Sequence, residues 1–457
     1  MVRVIRFRSA SSVRHAIPKV KFGHWLGWAQ GLQTAWKPLG LAFALLILTK
    51  PLDTPEALQG VVRSPQVTYS QDVAPILNGH CAGCHRPGEV APFPLLTYQD
   101  AKQQGPAIAA SVRARLMPPW KPVPGYGDFQ NDPRLSDAQI ASLESWVREG
   151  MPEGDPKVQT PALNLAPGWQ LGSPDLILTM AQPFHVPAVT EDLYECFILP
   201  THFSEDRYVV AMEERPSYRP VVHHSLVVED KFGAARRMAH GADAYPCFGG
   251  FGFPAPGYIG FWTPGVLPHR EPPGVARLLK KNSDVVVQVH FHPGHQPAEE
   301  QISLGLYFAK QPPEHIPFDL SVGTLDIDIP PGEPNHKVSS FVFVPEDVEV
   351  LSIIPHCHLL CRAVKVSANL PNGGSLPLIY INEWDFDWQQ QYWYKLPIFL
   401  PQGTRVEMEM TYDNSPRNPR NPNHPPKRVT WGEQSTDEMA EIHLEAIRAH
   451  PRPSRQN

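Results

Sequence analysis

Proline restricts this chain more than any other feature. Fifty-three prolines and 32 glycines in 457 residues cut the sequence into short hydrophobic runs. Proline donates no backbone hydrogen bond and is kept out of helix interiors and central strands. The runs between prolines are rich in Val, Ile, Leu and aromatic residues, which predicts many short strands joined by tight loops. The length allows two or three domains. A net charge of -6 with no basic stripe gives no footing for a nucleic-acid partner.

The N-terminus points to export. Residues 1–55 read as a signal peptide or an N-terminal anchor. The stretch to Lys37 is basic with no acidic residue, and Pro38–Leu48 is an apolar core of signal-peptide length. The expected location is periplasmic or otherwise extracytoplasmic, with the segment either cleaved or kept as a membrane anchor. There are six cysteines. In an oxidising compartment Cys247 is a candidate disulfide partner for Cys196.

A first folded unit is expected over residues 64–156. Ser70 is placed as the N-cap of a short helix leading to Cys81-Ala82-Gly83-Cys84-His85. Cys-x-x-Cys-His is a c-type heme attachment pattern: two thiols bond the heme covalently and the histidine is the proximal iron ligand. A redox dithiol or half of a zinc site are the other readings of the two thiols. Met117, followed by two prolines, is the expected distal ligand. Ser136 opens a last helix carrying Ile140, Leu143 and Val147 at helical spacing. Together these pieces resemble a small all-α class I cytochrome c domain.

After a linker at 157–170 the pattern becomes β. Three runs carry histidines: Val221–Val228 with His223 and His224, Asp284–His295 with His290 and His292, and Val350–Leu360 with His356 and His358. On a strand, residues two apart share a face, so His356 and His358 can meet one ion. Adjacent His223 and His224 point to opposite faces unless the strand is bulged or lies on an edge. His290 can join them, with His292 as rival or outer partner. Met439 sits where a polar turn becomes a strand. A thioether beside two imidazoles suits reduced copper. Cys357 and Cys361 would be roughly 13 Å apart on a regular strand, too far for a disulfide.

The ordered series His223-His224, Gln288-Val289-His290, Pro355-His356-x-His358 and Gly432-Glu433-x-x-Thr436-Asp437-Glu438-Met439 resembles the type II copper monooxygenases. That group includes peptidylglycine α-hydroxylating and dopamine β-monooxygenases. The resemblance implies two all-β jelly-roll domains, at 171–316 and 317–449, and a tail at 450–457. It also implies two copper ions. One, on His223, His224 and His290, would transfer electrons. The other, on His356, His358 and Met439, would bind O₂ and hydroxylate a C–H bond of a small organic substrate. Cys196 and Cys247 are placed much as a bridge of that family. Cys357, between two ligands, is a candidate outer-sphere or redox-active thiol.

A heme c fused to such a unit implies electrons arriving from a soluble or membrane donor such as a periplasmic cytochrome. Ile354, Glu441 and His443 stand where the peptide-hydroxylating relatives hold a carboxylate, which argues against a peptidylglycine substrate. The competing expectations are a non-catalytic heme and copper electron-transfer or copper-handling protein, and a structural β protein with incidental histidines.

Overall fold

A capping box starts each of the two longer helices. In the computed structural model, Thr97 Oγ1 accepts the Asp100 amide at 3.1 Å while Asp100 accepts the Thr97 amide at 2.9 Å. Ser136 and Gln139 repeat the device ahead of the Asp137–Arg148 helix. Such reciprocal caps satisfy helix-end donors that would otherwise lack partners. The Tyr98–Arg113 and Asp137–Arg148 helices pack with Val73, Leu77, Leu143 and Trp146 in one small apolar core. Ser70 is not the N-cap expected for the first helix. It lies within the Tyr69–Val73 turn, preceded by Thr68, and its hydroxyl donates to the Glu153 carbonyl at 2.9 Å. The structure describes residues 66–158, 168–188, 192–255, 257–291 and 296–449. The 1–55 segment, most of the linker, His292 and the 450–457 tail therefore lie outside the described residues.

The rest is sheet. A five-stranded sheet runs in the order Ala244–Pro246, Leu193–Pro200, Asp284–Phe291, Val222–Asp230, Tyr258–Trp262. A four-stranded sheet of Leu176–Thr179, Ser303–Phe308, Arg207–Arg215 and Arg277–Leu279 accompanies it. Between them lies a core of Val227, Val285, Val287, Phe291, Leu304 and Leu306. Towards the C-terminus, one sheet orders Phe318–Gly323, Glu441–Arg448, Val348–His356, Tyr392–Leu400. Another orders His336–Phe343, Arg405–Tyr412, Cys361–Asn369, Ser375–Ile381. Alternating burial along Arg405–Tyr412 sends Val406, Met408, Met410 and Tyr412 into the C-terminal core.

This architecture corrects the expected small all-α cytochrome c domain followed by two jelly-roll domains. The described residues belong to one compact, mostly β unit. The helical segment is not self-contained. Pro118, Pro119, Pro122 and Pro124 prevent the chain from continuing as helix, so it runs extended onto two sheet edges. There Val123 donates to the Tyr380 carbonyl at 2.7 Å and Gln130 to the Trp393 carbonyl at 2.8 Å. Phe129 leaves the helical core altogether and stacks on Tyr394 at 5.0 Å within the C-terminal core. The two β stretches are also tied to each other. The Thr263 hydroxyl donates to the Gln389 carbonyl at 2.7 Å, and Arg277 pairs with Glu445.

Candidate metal centre

Three imidazoles meet where the Val222–Asp230 and Asp284–Phe291 strands lie side by side. The register between them shifts between Val222 and His224, and His224 is paired with His290. A bulge at this point lets adjacent residues turn their side chains to one side. His223 Nδ1 lies 3.0 Å from His224 Nδ1 and 3.1 Å from His290 Nδ1. Among the described residues, His223, His224 and His290 form a group whose ligand atoms all lie within 4.8 Å of one another. Nitrogens bound at about 2.0–2.1 Å to one ion are spaced on the order of 3 Å.

The group behind His290 carries no sequence signal. Its Nε2 lies 2.9 Å from Asp192 Oδ1, and Asp192 also accepts the Ser435 hydroxyl at 2.7 Å and its amide at 3.0 Å. Burial would raise the Asp192 carboxyl, but the His290 and Ser435 hydrogen bonds outweigh it and hold the group well below the usual carboxylate range. An ionised Asp192 takes the His290 Nε2 proton in a hydrogen bond and leaves the Nδ1 lone pair facing the cluster. Carboxylate–histidine pairs orient metal ligands in this way. Burial, then His290 and His223, push His224 well below the ordinary imidazole range, so its ring is neutral. Tyr194 stacks on His290 at 4.2 Å and Phe386 on His223 at 4.6 Å.

His356 and His358 are held differently. The strand ends at His356, and the chain turns through Cys357–Leu360. The buried Glu438 carboxyl accepts the His358 amide at 2.9 Å and the Leu360 amide at 2.5 Å, which fixes that turn. Burial raises Glu438 to about 8 despite these bonds. His356 Nδ1 meets Gln389 Oε1 at 2.7 Å, and His358 Nδ1 meets the Asp437 carbonyl at 3.3 Å. Burial, then His356, pull His358 down to about 3. The rings of His356 and His358 are 5.2 Å apart, and His356 is 6.3 Å from His224. Met439 is buried, with its carbonyl bonded to the Tyr412 hydroxyl at 2.7 Å. The turn also changes the expected separation of the two cysteines: it brings their buried thiols near enough that Cys361, after burial, helps raise the Cys357 thiol. Cys196 and Cys247 form a disulfide with a Cα separation of 5.7 Å.

Cys81, Cys84, His85 and Met117 all line one cavity of about 570 Å³, together with Trp120, His269 and Trp393. His85 Nδ1 donates to the Phe93 carbonyl at 3.1 Å, which leaves Nε2 as the ring's acceptor. Burial raises Cys84, and raises Cys81 to about 12, so both thiols are protonated.

No family model and no curated protein matches this chain. Among solved structures, the major capsid protein P2 from Bacteriophage PM2 is 11% identical with a TM-score of 0.25, over 61% of this chain and 98% of that one. The structure of infectious bursal disease virus Gx strain is 9% identical with a TM-score of 0.18, over 61% and 73%. At such scores no common fold is defined. The comparisons thus give no support to the type II copper monooxygenases or to a fused class I cytochrome c, and both family assignments are withdrawn.

With the families go the heme-fed monooxygenase activity, the enzyme class and the two-copper division of labour. Among the described residues one group of three ligating His, Cys, Asp or Glu side chains assembles, not two. The physical reason is that His-His and His-x-His are short patterns. His-x-His puts two rings on one face of any strand and His-His does so at a bulge, but neither specifies what surrounds them.

Proposed function

We propose that this chain is a metal-binding protein holding one copper ion on His223, His224 and His290. The observation that carries this reading is the convergence of three Nδ1 atoms, two of them 3.0 and 3.1 Å from the third. Neutral imidazoles suit copper, zinc and nickel, and copper binds such sites most tightly among the common divalent ions. Asp192 would keep His290 in the ligating tautomer and add a compensating negative charge. The test is metal content after equilibration with Cu²⁺ and gel filtration. One equivalent should remain on the wild type and none on His290→Ala. Equal retention by both proteins would refute the site.

A covalently bound heme is the second reading, for the cavity that takes in Cys81, Cys84 and His85. The Phe93 carbonyl orients His85 as axial ligands are commonly oriented, by a hydrogen bond to the other ring nitrogen. Such a heme would supply a one-electron couple, with both thiols consumed as thioethers. A pyridine hemochrome spectrum on purified, acid-extracted protein decides this, and heme that extracts freely contradicts it. An extracytoplasmic location is proposed with it, on the strength of the Cys196–Cys247 bridge.

A further inference from the structure

We propose that Ser435 is a positioning residue of the metal centre, the outermost member of a relay Ser435–Asp192–His290 that aims the His290 Nδ1 lone pair at the ion. This inference rests on the copper reading of the trio and adds the segment that controls it.

The relay crosses from the C-terminal stretch to the middle one, over a sequence separation of 243. His290 Nε2 meets one oxygen of Asp192, Oδ1, at 2.9 Å. The other oxygen, Oδ2, accepts both the hydroxyl and the amide of Ser435, at 2.7 and 3.0 Å. The terminal torsion of an aspartate is soft, so a carboxylate held through one oxygen alone can swing. Two donors on the second oxygen fix its plane, and with it the ring it faces. Hydrogen bonds to an ionised carboxylate are also roughly twice as strong as neutral ones.

The loop that carries Ser435 is closed on itself. Glu438 donates its amide to the Thr430 carbonyl at 3.1 Å, and Gly432 donates to the Glu438 carbonyl at 3.2 Å, which ties the base. Asp437 donates to the Gln434 carbonyl at 2.9 Å around Ser435 itself. The same loop reaches Tyr194, whose hydroxyl donates to the Glu433 carbonyl at 3.4 Å while its ring stacks on His290 at 4.2 Å. One loop thus holds both residues that support His290, the carboxylate behind it and the ring beside it. Copper affinity on the middle strands is therefore set in part from the C-terminal stretch.

The experiment uses the full chain in a chelator-competition titration with Cu²⁺. Ser435→Ala should weaken copper binding several-fold, short of the roughly 10–100-fold expected for losing an outer partner outright. Ser435→Thr, which restores the hydroxyl, should bind as the wild type does. On an Asp192→Ala background Ser435→Ala should cost nothing further, because residues that act through one contact are not additive. An equal loss on both backgrounds would show a structural role only and overturn the proposal. So would wild-type affinity in Ser435→Ala. Coupling is reciprocal, so copper should in turn slow deuterium uptake over residues 432–438 of the wild type. Unchanged uptake would contradict the relay, and this measurement decides alone if Ser435→Ala does not fold. A wild type that retains no copper would overturn the copper reading itself, and the proposal with it.

Discussion

The two histidine groups approach to 6.3 Å, between the rings of His224 and His356, and are built on different principles. In the trio, three nitrogens point at one another and a carboxylate, Asp192, stands behind His290. In the pair, each Nδ1 is spent on a neutral acceptor, the Gln389 amide oxygen or the Asp437 carbonyl. The trio thus has a negative charge behind it, whereas among the described residues no carboxylate hydrogen-bonds either ring of the pair. Histidine content alone does not distinguish a metal centre from a packed polar seam. The number of ligand nitrogens that converge does, three in the trio and two in the pair.

The largest effect should come from a ligand of the trio. His224→Ala should lower copper affinity by more than the roughly 10–100-fold expected for losing an outer partner. A chelator-competition titration reads this directly. Asp192→Asn should fall within that roughly 10–100-fold range, because the ligands remain while the orienting charge is lost. Affinity unchanged by Asp192→Asn would erase the contrast drawn between the two groups.

On the pair's side the expected loss is in stability rather than affinity. Glu438→Gln sets an amide donor against the His358 and Leu360 amides, and should cost about 1–3 kcal/mol by denaturant unfolding. The smallest effect involves a third kind of histidine. His443 sits 3.0 Å from Asp319 and 3.5 Å from Glu441. Burial opposes its charge, but those carboxylates raise it to about 9. A raised imidazole stabilises the fold fully below its unfolded value near 6.5 and loses that contribution as pH climbs through about 9. His443→Gln should therefore be less stable than wild type at pH 6 by about 1 kcal/mol, since solvent reaches the pair, with the gap closing above pH 9. A gap that widened with pH would mean His443 is neutral in the folded protein.

Much of the secondary structure was legible in the residues. Short proline-bounded runs mark the strands, and Ser136 marks a helix start. Tertiary association was not. The 118–131 stretch reads as a proline-rich loop, and nothing local shows that Phe129 will stack on Tyr394. The ring-bearing strands were legible for the same reason as other strands, namely their apolar flanks. Asp192 was not, because a lone aspartate in a polar turn carries no periodic signal. Gln389 and Phe386 lay inside an aromatic stretch with no distinguishing spacing. Extended geometry past His356 would hold Cys357 and Cys361 apart, but there Glu438 draws the chain into a turn.

The central claim is that the trio binds an ion independently of the pair. X-ray absorption on the copper-loaded protein would count the imidazoles around the ion, with the wild type set beside a His356→Ala, His358→Ala double variant. The account predicts one copper with three imidazole ligands in both proteins. A shell that loses imidazoles in the double variant, or copper that fails to bind once the pair is gone, would contradict it.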